Sequence, residues 1–201
     1  MSTMVKIKVI VTFSFFFVFG CLVGYFIENK FARKIVHVDL DATNIEMYDE
    51  NTRYPFMPKQ YSDYICNLAK ELRIDSDIAV SILMVENPEF NPDATNRNKN
   101  GTNDLGLWQM NDMYVYSVFV KSYWDIDTDF NPYNWKHSTF LAMHHIEFLL
   151  RSLKVQDDAI MAYNCGRGRV IDNDIPAITR QYLAKVNNNL KLLKNTKEIE
   201  K

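Results

Sequence analysis

Apolar residues along this chain gather into a few helical stripes separated by polar, turn-prone stretches. Tyr61, Ile65, Leu68, Ala69 and Leu72 share one face at helical spacing, so residues 61–72 are expected as an amphipathic helix. Ile74-Asp75-Ser76-Asp77 offers good N-cap residues, and a second helix is expected from Ile78 to Glu86. Asn100-Gly101 is a strong hairpin signal, which places a short hairpin over Ala94 to Met110. Asp127 to Pro132 reads as a loop, with helices to follow at about Trp135–Leu153 and Asp157–Asn164. Gly166 and Gly168 are expected to break the chain before a last helix near Pro176. The pattern contains no internal repeat. It predicts a folded unit over residues 54–193, α+β but mainly α, with one small β-hairpin.

Ahead of that unit the pattern changes. After a short segment at 1–8, residues 9–27 carry no charge, with Lys6 and Lys8 before them and Glu28, Lys30, Arg33 and Lys34 after. An uncharged run of that length can cross a bilayer as a helix. The bulky Tyr25-Phe26-Ile27 stands where a signal peptidase would need small residues, so an uncleaved single-pass anchor is expected rather than a cleaved signal segment. Val18-Phe19-Gly20-Cys21 loosely resembles a lipobox, but the apolar Leu22-Val23 after the cysteine argues against a lipoprotein. Residues 28–53 read as a charged connector and 194–201 as a charged tail.

Composition narrows the function classes. The 201 residues carry a formal net charge of -2, which gives no electrostatic case for a nucleic-acid partner. Cys66 and Cys165 are able to pair in an oxidising compartment, but their spacing fits no metal or redox motif, and two small buried side chains are the plainer expectation. His144 and His145 are adjacent on one expected helix and so point about 100° apart, unsuited to sharing an ion. No metal and no cofactor are expected.

The candidate chemistry lies in the stretch "VENPEFNPDATNRNKNGTNDLGLWQMND". Glu86 follows Ile82 by four residues and Ile78 by eight, on the apolar face of its helix, and Pro88 disfavours helical geometry at Asn87. A carboxylate at a helix C-terminus with apolar neighbours has its ionised form disfavoured twice, by desolvation and by the helix dipole. Both raise its pKa, as a general acid near neutral pH requires. The plainer alternative is an exposed glutamate at a frayed helix end. On the returning strand, alternation would place Asp104, Gly106 and Trp108 on one face: a carboxylate, a close approach and an aromatic plate suited to a sugar. The alternative there is a simple turn, with Trp108 in the core.

These residues resemble a known pattern. Glu86 followed by "FNPDATNRNKNGTNDLGLWQMN" resembles the active-site stretch of the lysozyme-like superfamily, in particular soluble lytic-transglycosylase (SLT) domains with a G-[ST]-x-D-x-G-x-x-Q-[IM]-N element. Around Ala94–Asn98 and Gly101–Asp104 it is also similar to C-type lysozymes. "AIMAYNCGRGRV" resembles the SLT A-Y-N-A-G block, "DFNPYNW" the loop before the preceding helix, and "IPAITRQYLAKV" the closing P…E-T…Y-V element. The four blocks occur in the expected order between about Tyr61 and Leu190. Three departures stand out: Asn87-Pro88-Glu89 makes the segment after the glutamate one residue longer, Cys165 replaces a small alanine, and Ile178 stands near the family's glutamate.

The resemblance implies a lysozyme-like fold and cleavage of the β-1,4 bond between MurNAc and GlcNAc in peptidoglycan. It implies Glu86 as the acid, Asp104 as a possible second carboxylate, and Trp108, Gln109, Tyr163, Asn164 and Tyr182 around the glycan strand. Trp108, Tyr163 and Tyr182 each also have a plain core reading. Lytic transglycosylation, which needs one carboxylate, is favoured over hydrolysis, which needs two. A reading of another class is a non-catalytic, membrane-tethered module that binds peptidoglycan or serves an envelope-spanning assembly. Because peptidoglycan lies outside the cytoplasmic membrane, the domain is expected on the extracytoplasmic (periplasmic) side, tethered through residues 9–27.

Overall fold

The structure, a computed structural model, describes residues 52–113 and 130–199. The expected membrane segment at 9–27, the rest of the N-terminal region and part of the Asp127–Pro132 loop lie outside the described residues. Among the described residues no helix is long and apolar enough to cross a membrane.

Six helices and a small sheet make up the described part: α1 (Lys59–Leu72), α2 (Ser76–Glu86), β1 (Thr95–Arg97), β2 (Asn103–Leu105), β3 (Met110–Asn111), α3 (Trp135–Leu153), α4 (Gln156–Cys165), α5 (Arg167–Ile171) and α6 (Ala177–Ile199). The α+β, mainly helical class expected from the sequence holds. Helix α1 buries Tyr61, Ile65, Leu68 and Ala69 along one stripe. It ends where Arg73 turns left-handed (φ 57°), which lets the Arg73 and Ile74 amides return to carbonyls in the last turn.

Helix α2 is of another kind. Every residue from Ser76 to Leu83 is buried, so it is a central helix with no solvated face. It packs most extensively on α6, and also on α1. Its N-terminus is fixed twice. The Asp75 side chain accepts from the Asp77 amide at 3.0 Å, an N-cap. Asp77, itself buried, accepts from the Tyr54 hydroxyl at 2.7 Å and from Arg53 Nη2 at 2.9 Å. Arg53, assigned to the connector on sequence, therefore belongs to the folded unit. A buried carboxylate is tolerated where it is paired and hydrogen-bonded in this way.

The sheet corrects two expectations. It has three antiparallel strands in the order β1-β2-β3, not a single hairpin. Asn96 stands opposite Asp104, and Asp104 opposite Asn111. Strand alternation also stops earlier than expected. Gly106 adopts φ +72° and Gln109 φ +48°, so residues 106–109 turn between β2 and β3. Trp108 is thereby directed inward, fully buried, with its indole N–H donating to Thr139 Oγ1 at 2.9 Å. Its ring joins Ile65, Ile82, Leu83, Leu107 and Leu141 in the core. It is no sugar platform in this structure, and the core alternative is the one that holds.

Two further differences are local. Gly166 (φ +88°) does separate α4 from α5, but Gly168 lies inside α5, a helix the sequence reading omitted. Cys66 and Cys165 are unpaired thiols, each half-buried rather than enclosed.

Gly106 is where the sheet meets the loop before α3. A Cβ there would lie 2.1 Å from the Pro132 carbonyl oxygen, so the expected close approach is made by backbone of the protein itself. Gly101 is also left-handed (φ +86°), but a Cβ there meets nothing within 4 Å. Gly101→Ala should therefore cost only the torsional term, about 1 kcal/mol, while Gly106→Ala adds a backbone clash and should cost roughly 2–4 kcal/mol. In thermal melts the second variant should lose at least twice as many degrees as the first. Equal losses would show that the contact with Pro132 constrains nothing.

Candidate active site

Glu86 is the last residue of α2, and the chain leaves the helix at Asn87. It sits where the solvent-free helix meets a groove, half-buried, with a carboxylate that has left most of its water. Burial pushes the Glu86 carboxyl up to about 7. The Tyr182 hydroxyl donates to Glu86 Oε1 at 2.7 Å and acts the other way, because it stabilises the ionised form. The negative charge of Asp104 raises the value again. Tyr182 is itself buried, and burial together with the neighbouring carboxylate holds its phenol protonated well above its ordinary range, so it remains a donor.

The segment after Glu86, one residue longer than the resembling pattern, is a structural link. Asn87 is buried; its Nδ2 donates to the Asn91 carbonyl at 2.7 Å and to the Leu107 carbonyl at 3.2 Å, and its Oδ1 accepts from the Asn91 amide. One side chain thus ties the end of α2 to the chain entering the sheet and to the turn after β2. Glu89 is exposed.

Asp104 lines the same groove from β2. Its Oδ1 accepts from Asn111 Nδ2 at 2.9 Å, and that nitrogen also donates to Thr102 Oγ1 at 2.8 Å. Asn111, on the third strand that the sequence reading lacked, therefore fixes the orientation of Asp104. Gln109 also borders the groove, but its amide is committed to the protein. Its Nε2 donates to the Gly106 and Ala94 carbonyls at 2.8 and 3.2 Å, and its Oε1 accepts from Asn96 Nδ2. It holds the left-handed turn rather than presenting a free amide.

Tyr163 and Asn164 reach the groove from the end of α4. The Tyr163 hydroxyl donates to the Trp108 carbonyl at 3.1 Å, joining α4 to the β2–β3 turn. Asn164 is exposed; its Oδ1 accepts from Thr179 Oγ1 at 2.8 Å, which leaves the amide NH2 as the group offered to a ligand. Thr179, fully buried at the start of α6, was not singled out on sequence, although it belongs to the closing block. Asn87 was missed because a polar residue in a polar run carries no periodic signal of burial, and Asn111, although it ends the G-[ST]-x-D-x-G-x-x-Q-[IM]-N element, because β3 itself was not foreseen. The structure thus gathers Glu86, Asp104, Gln109, Tyr163 and Asn164 around one groove of about 930 Å³, sets Tyr182 behind Glu86, and removes Trp108 to the core. That volume is in the upper range for a ligand cleft.

The histidines face different neighbours. His144 lies against Phe140 with ring centroids 4.3 Å apart, and His145 against Tyr163 at 5.6 Å. Burial pushes both imidazoles down to about 4. Among the described residues no three His, Cys, Asp or Glu side chains converge on a metal position.

Comparison with known proteins bears on the fold and the family. No curated protein matches the chain in sequence. Among solved structures it is similar to an inactive Glu-to-Gln mutant of the lytic transglycosylase Slt from Pseudomonas aeruginosa, with a TM-score of 0.55 and 16% identity. That match covers 68% of this chain and 24% of the other, so the likeness is one of fold over about a quarter of that protein. The family profile described as Transglycosylase SLT domain matches residues 63–180, more than half of the chain and the whole span that builds the groove. With Glu86, the sheet and the Tyr163-Asn164 pair all inside the matched region, this chain belongs to the Transglycosylase SLT domain family.

Proposed function

We propose that this protein is a peptidoglycan lytic transglycosylase that cleaves the MurNAc-β-1,4-GlcNAc bond and leaves a 1,6-anhydro-MurNAc end. The observation that carries the reading is a carboxyl group held protonatable to about 7 at the edge of a large groove, in a chain of this family. Protonated Glu86 gives its proton to the glycosidic oxygen as the C1–O bond breaks and positive charge develops on the muramyl ring. The departing sugar leaves a Glu86 carboxylate, stabilised at once by the Tyr182 hydroxyl. That carboxylate takes the proton of the muramyl C6 hydroxyl as its oxygen bonds to C1. The ring closes, Glu86 is protonated again, and no water is consumed.

A second reading, hydrolysis of the same bond, is favoured by one observation: Asp104 lines the same groove, oriented by Asn111. In that case Asp104 would act as nucleophile or stabilising anion. Localisation follows from the substrate. We place the domain outside the cytoplasmic membrane with residues 9–27 as its anchor, a placement supported by the uncharged run and its flanking lysines.

Three expectations follow. Glu86→Gln keeps the shape and removes the proton, so cell-wall cleavage should fall about 10²–10⁴-fold while the circular-dichroism spectrum and melting temperature stay close to wild type. In the active protein, kcat/KM should decline as pH rises through about 7, because the acid must be protonated. Tyr182→Phe removes a donor to the ionised form, raises the Glu86 pKa and moves that limb to higher pH, whereas Asp104→Asn removes a like charge and moves it lower. Shifts in the same direction from both variants would refute this electrostatic account.

Mass spectrometry of the muropeptides separates the two reactions. Transglycosylation yields anhydro ends, lighter than hydrolytic products by one water, and Asp104→Asn should cost only about 10-fold. Reducing ends carrying labelled oxygen from water would establish hydrolysis instead. For localisation, a reporter enzyme that is active only after export, fused after Lys201, should be active in cells; an inactive but intact fusion would reverse the assigned orientation.

A further inference from the structure

The groove is lined by side chains of both charge signs. Glu86 and Asp104 supply carboxylates, whereas the corner between α4 and α5 supplies two guanidinium groups, Arg167 and Arg169, to the same lining. The chemistry of bond cleavage described above uses neither. Neutral sugar hydroxyls do not call for a guanidinium, whose planar donors match a carboxylate.

Arg167 is held but not neutralised. Its Nε donates to Ser152 Oγ at 3.3 Å, and its guanidinium lies over the Phe148 ring at 6.0 Å. Among the described residues no carboxylate lies within 4.0 Å of it. With Nε occupied and the guanidinium carbon over an aromatic ring, the donors of the two terminal nitrogens remain for a ligand. Arg169 approaches Asp174 only at 3.9 Å, with both side chains solvated, a contact too weak to consume its charge. The backbone beside and between them is unobstructed: a Cβ at Gly166 or at Gly168 would meet nothing within 4 Å. A substituent branching from a strand in the groove therefore has room beside these arginines.

We propose that Arg167, assisted by Arg169, recognises a carboxylate carried by the glycan strand, and so makes the enzyme selective for anionic, carboxylate-bearing strands over neutral polysaccharide. The inference rests on the transglycosylase reading and deepens it. Two parts of the substrate supply this chemistry: the stem peptides, and the lactyl carboxylate that the muramyl sugar exposes once a peptide has been removed.

The test measures kcat/KM of the full chain on purified glycan strands with their peptides and on strands stripped of them. Each is assayed with free carboxylates and after conversion of the carboxylates to neutral amides. Wild type should favour free carboxylates by about 10-fold, the worth of one charge-assisted hydrogen bond. Arg167→Gln should lose that preference through a raised KM, and Arg167→Lys, which keeps charge but not the planar fork, should fall between. A preference confined to peptide-bearing strands assigns the stem peptide, and one confined to stripped strands assigns the lactyl group. If wild type cleaves amidated strands as well as free ones, or Arg167→Gln keeps the preference, the inference is wrong and the transglycosylase reading stands. If wild type cleaves none of the four, that reading falls and the inference falls with it.

Discussion

The hydrogen bond from Tyr182 to Glu86 joins two residues 96 positions apart, and much of the architecture exists to make it possible. It requires a helix buried on all sides whose last residue is a carboxylate, and a second long helix packed along it. α2 supplies the first, held at its N-terminus by the Asp75 cap and the Arg53-Tyr54-Asp77 contacts. α6 supplies the second, with Thr179, Tyr182, Val186 and Leu190 buried at helical spacing. A carboxylate in that position would be costly if ionised without a partner. One neutral donor reduces the cost without abolishing it, and the group is left with a pKa near neutrality. A cation in place of Tyr182 would have held the carboxylate ionised and useless as an acid.

The same position has a consequence for stability. A carboxyl group whose pKa is raised on folding contributes stability below its unfolded value, ordinarily near 4.5, and that contribution is lost as pH rises through about 7. The folded protein therefore bears an ionised buried carboxylate under alkaline conditions. The Asn87 tie between the helix end, Asn91 and Leu107 limits how far α2 can fray to relieve it. Strain of this kind at a functional position is balanced by well-satisfied contacts around it.

Most of the helical frame was legible in the sequence because amphipathic stripes and caps are local signals. Trp135–Leu153 is found at its expected bounds, and the Asp75 cap and the Glu86 helix end are read from single residues with known preferences. The sheet was half legible. Asn100-Gly101 announces a turn, but nothing local announces β3, two residues long and paired only through Leu105 and Asp104. Trp108 was misplaced because alternation was extended through Gly106, where a left-handed backbone ends it. A side chain there is excluded by Pro132, far along the chain, and the turn is held by Gln109, whose amide bonds to the Gly106 and Ala94 carbonyls. Gln109 shows the limit of carrying residues over from a resemblance: the residue type matches, yet every polar atom of its amide is used to hold the turn.

Asp104 and Tyr182 act on Glu86 in opposite senses, and they belong to parts of the fold with different tolerances. Tyr182 is embedded in a helix interface, where a phenol cannot move without opening a gap, so its donor is always present. Asp104 stands on a three-residue strand, half-exposed, oriented by a single asparagine on a still shorter one. Its electrostatic effect on Glu86 therefore depends on the water and ligand between them. If a glycan strand fills the groove as proposed, water is displaced and the interaction between the two carboxylates strengthens. On the proposed reading, the substrate itself would thus help to keep Glu86 protonated until the glycosidic oxygen takes the proton. Once Glu86 had given it up in that reaction, the same repulsion would favour its return from the C6 hydroxyl. In the transglycosylation proposed above, one sheet carboxylate would assist both halves without forming a bond, so Asp104 in this groove does not by itself imply a hydrolase.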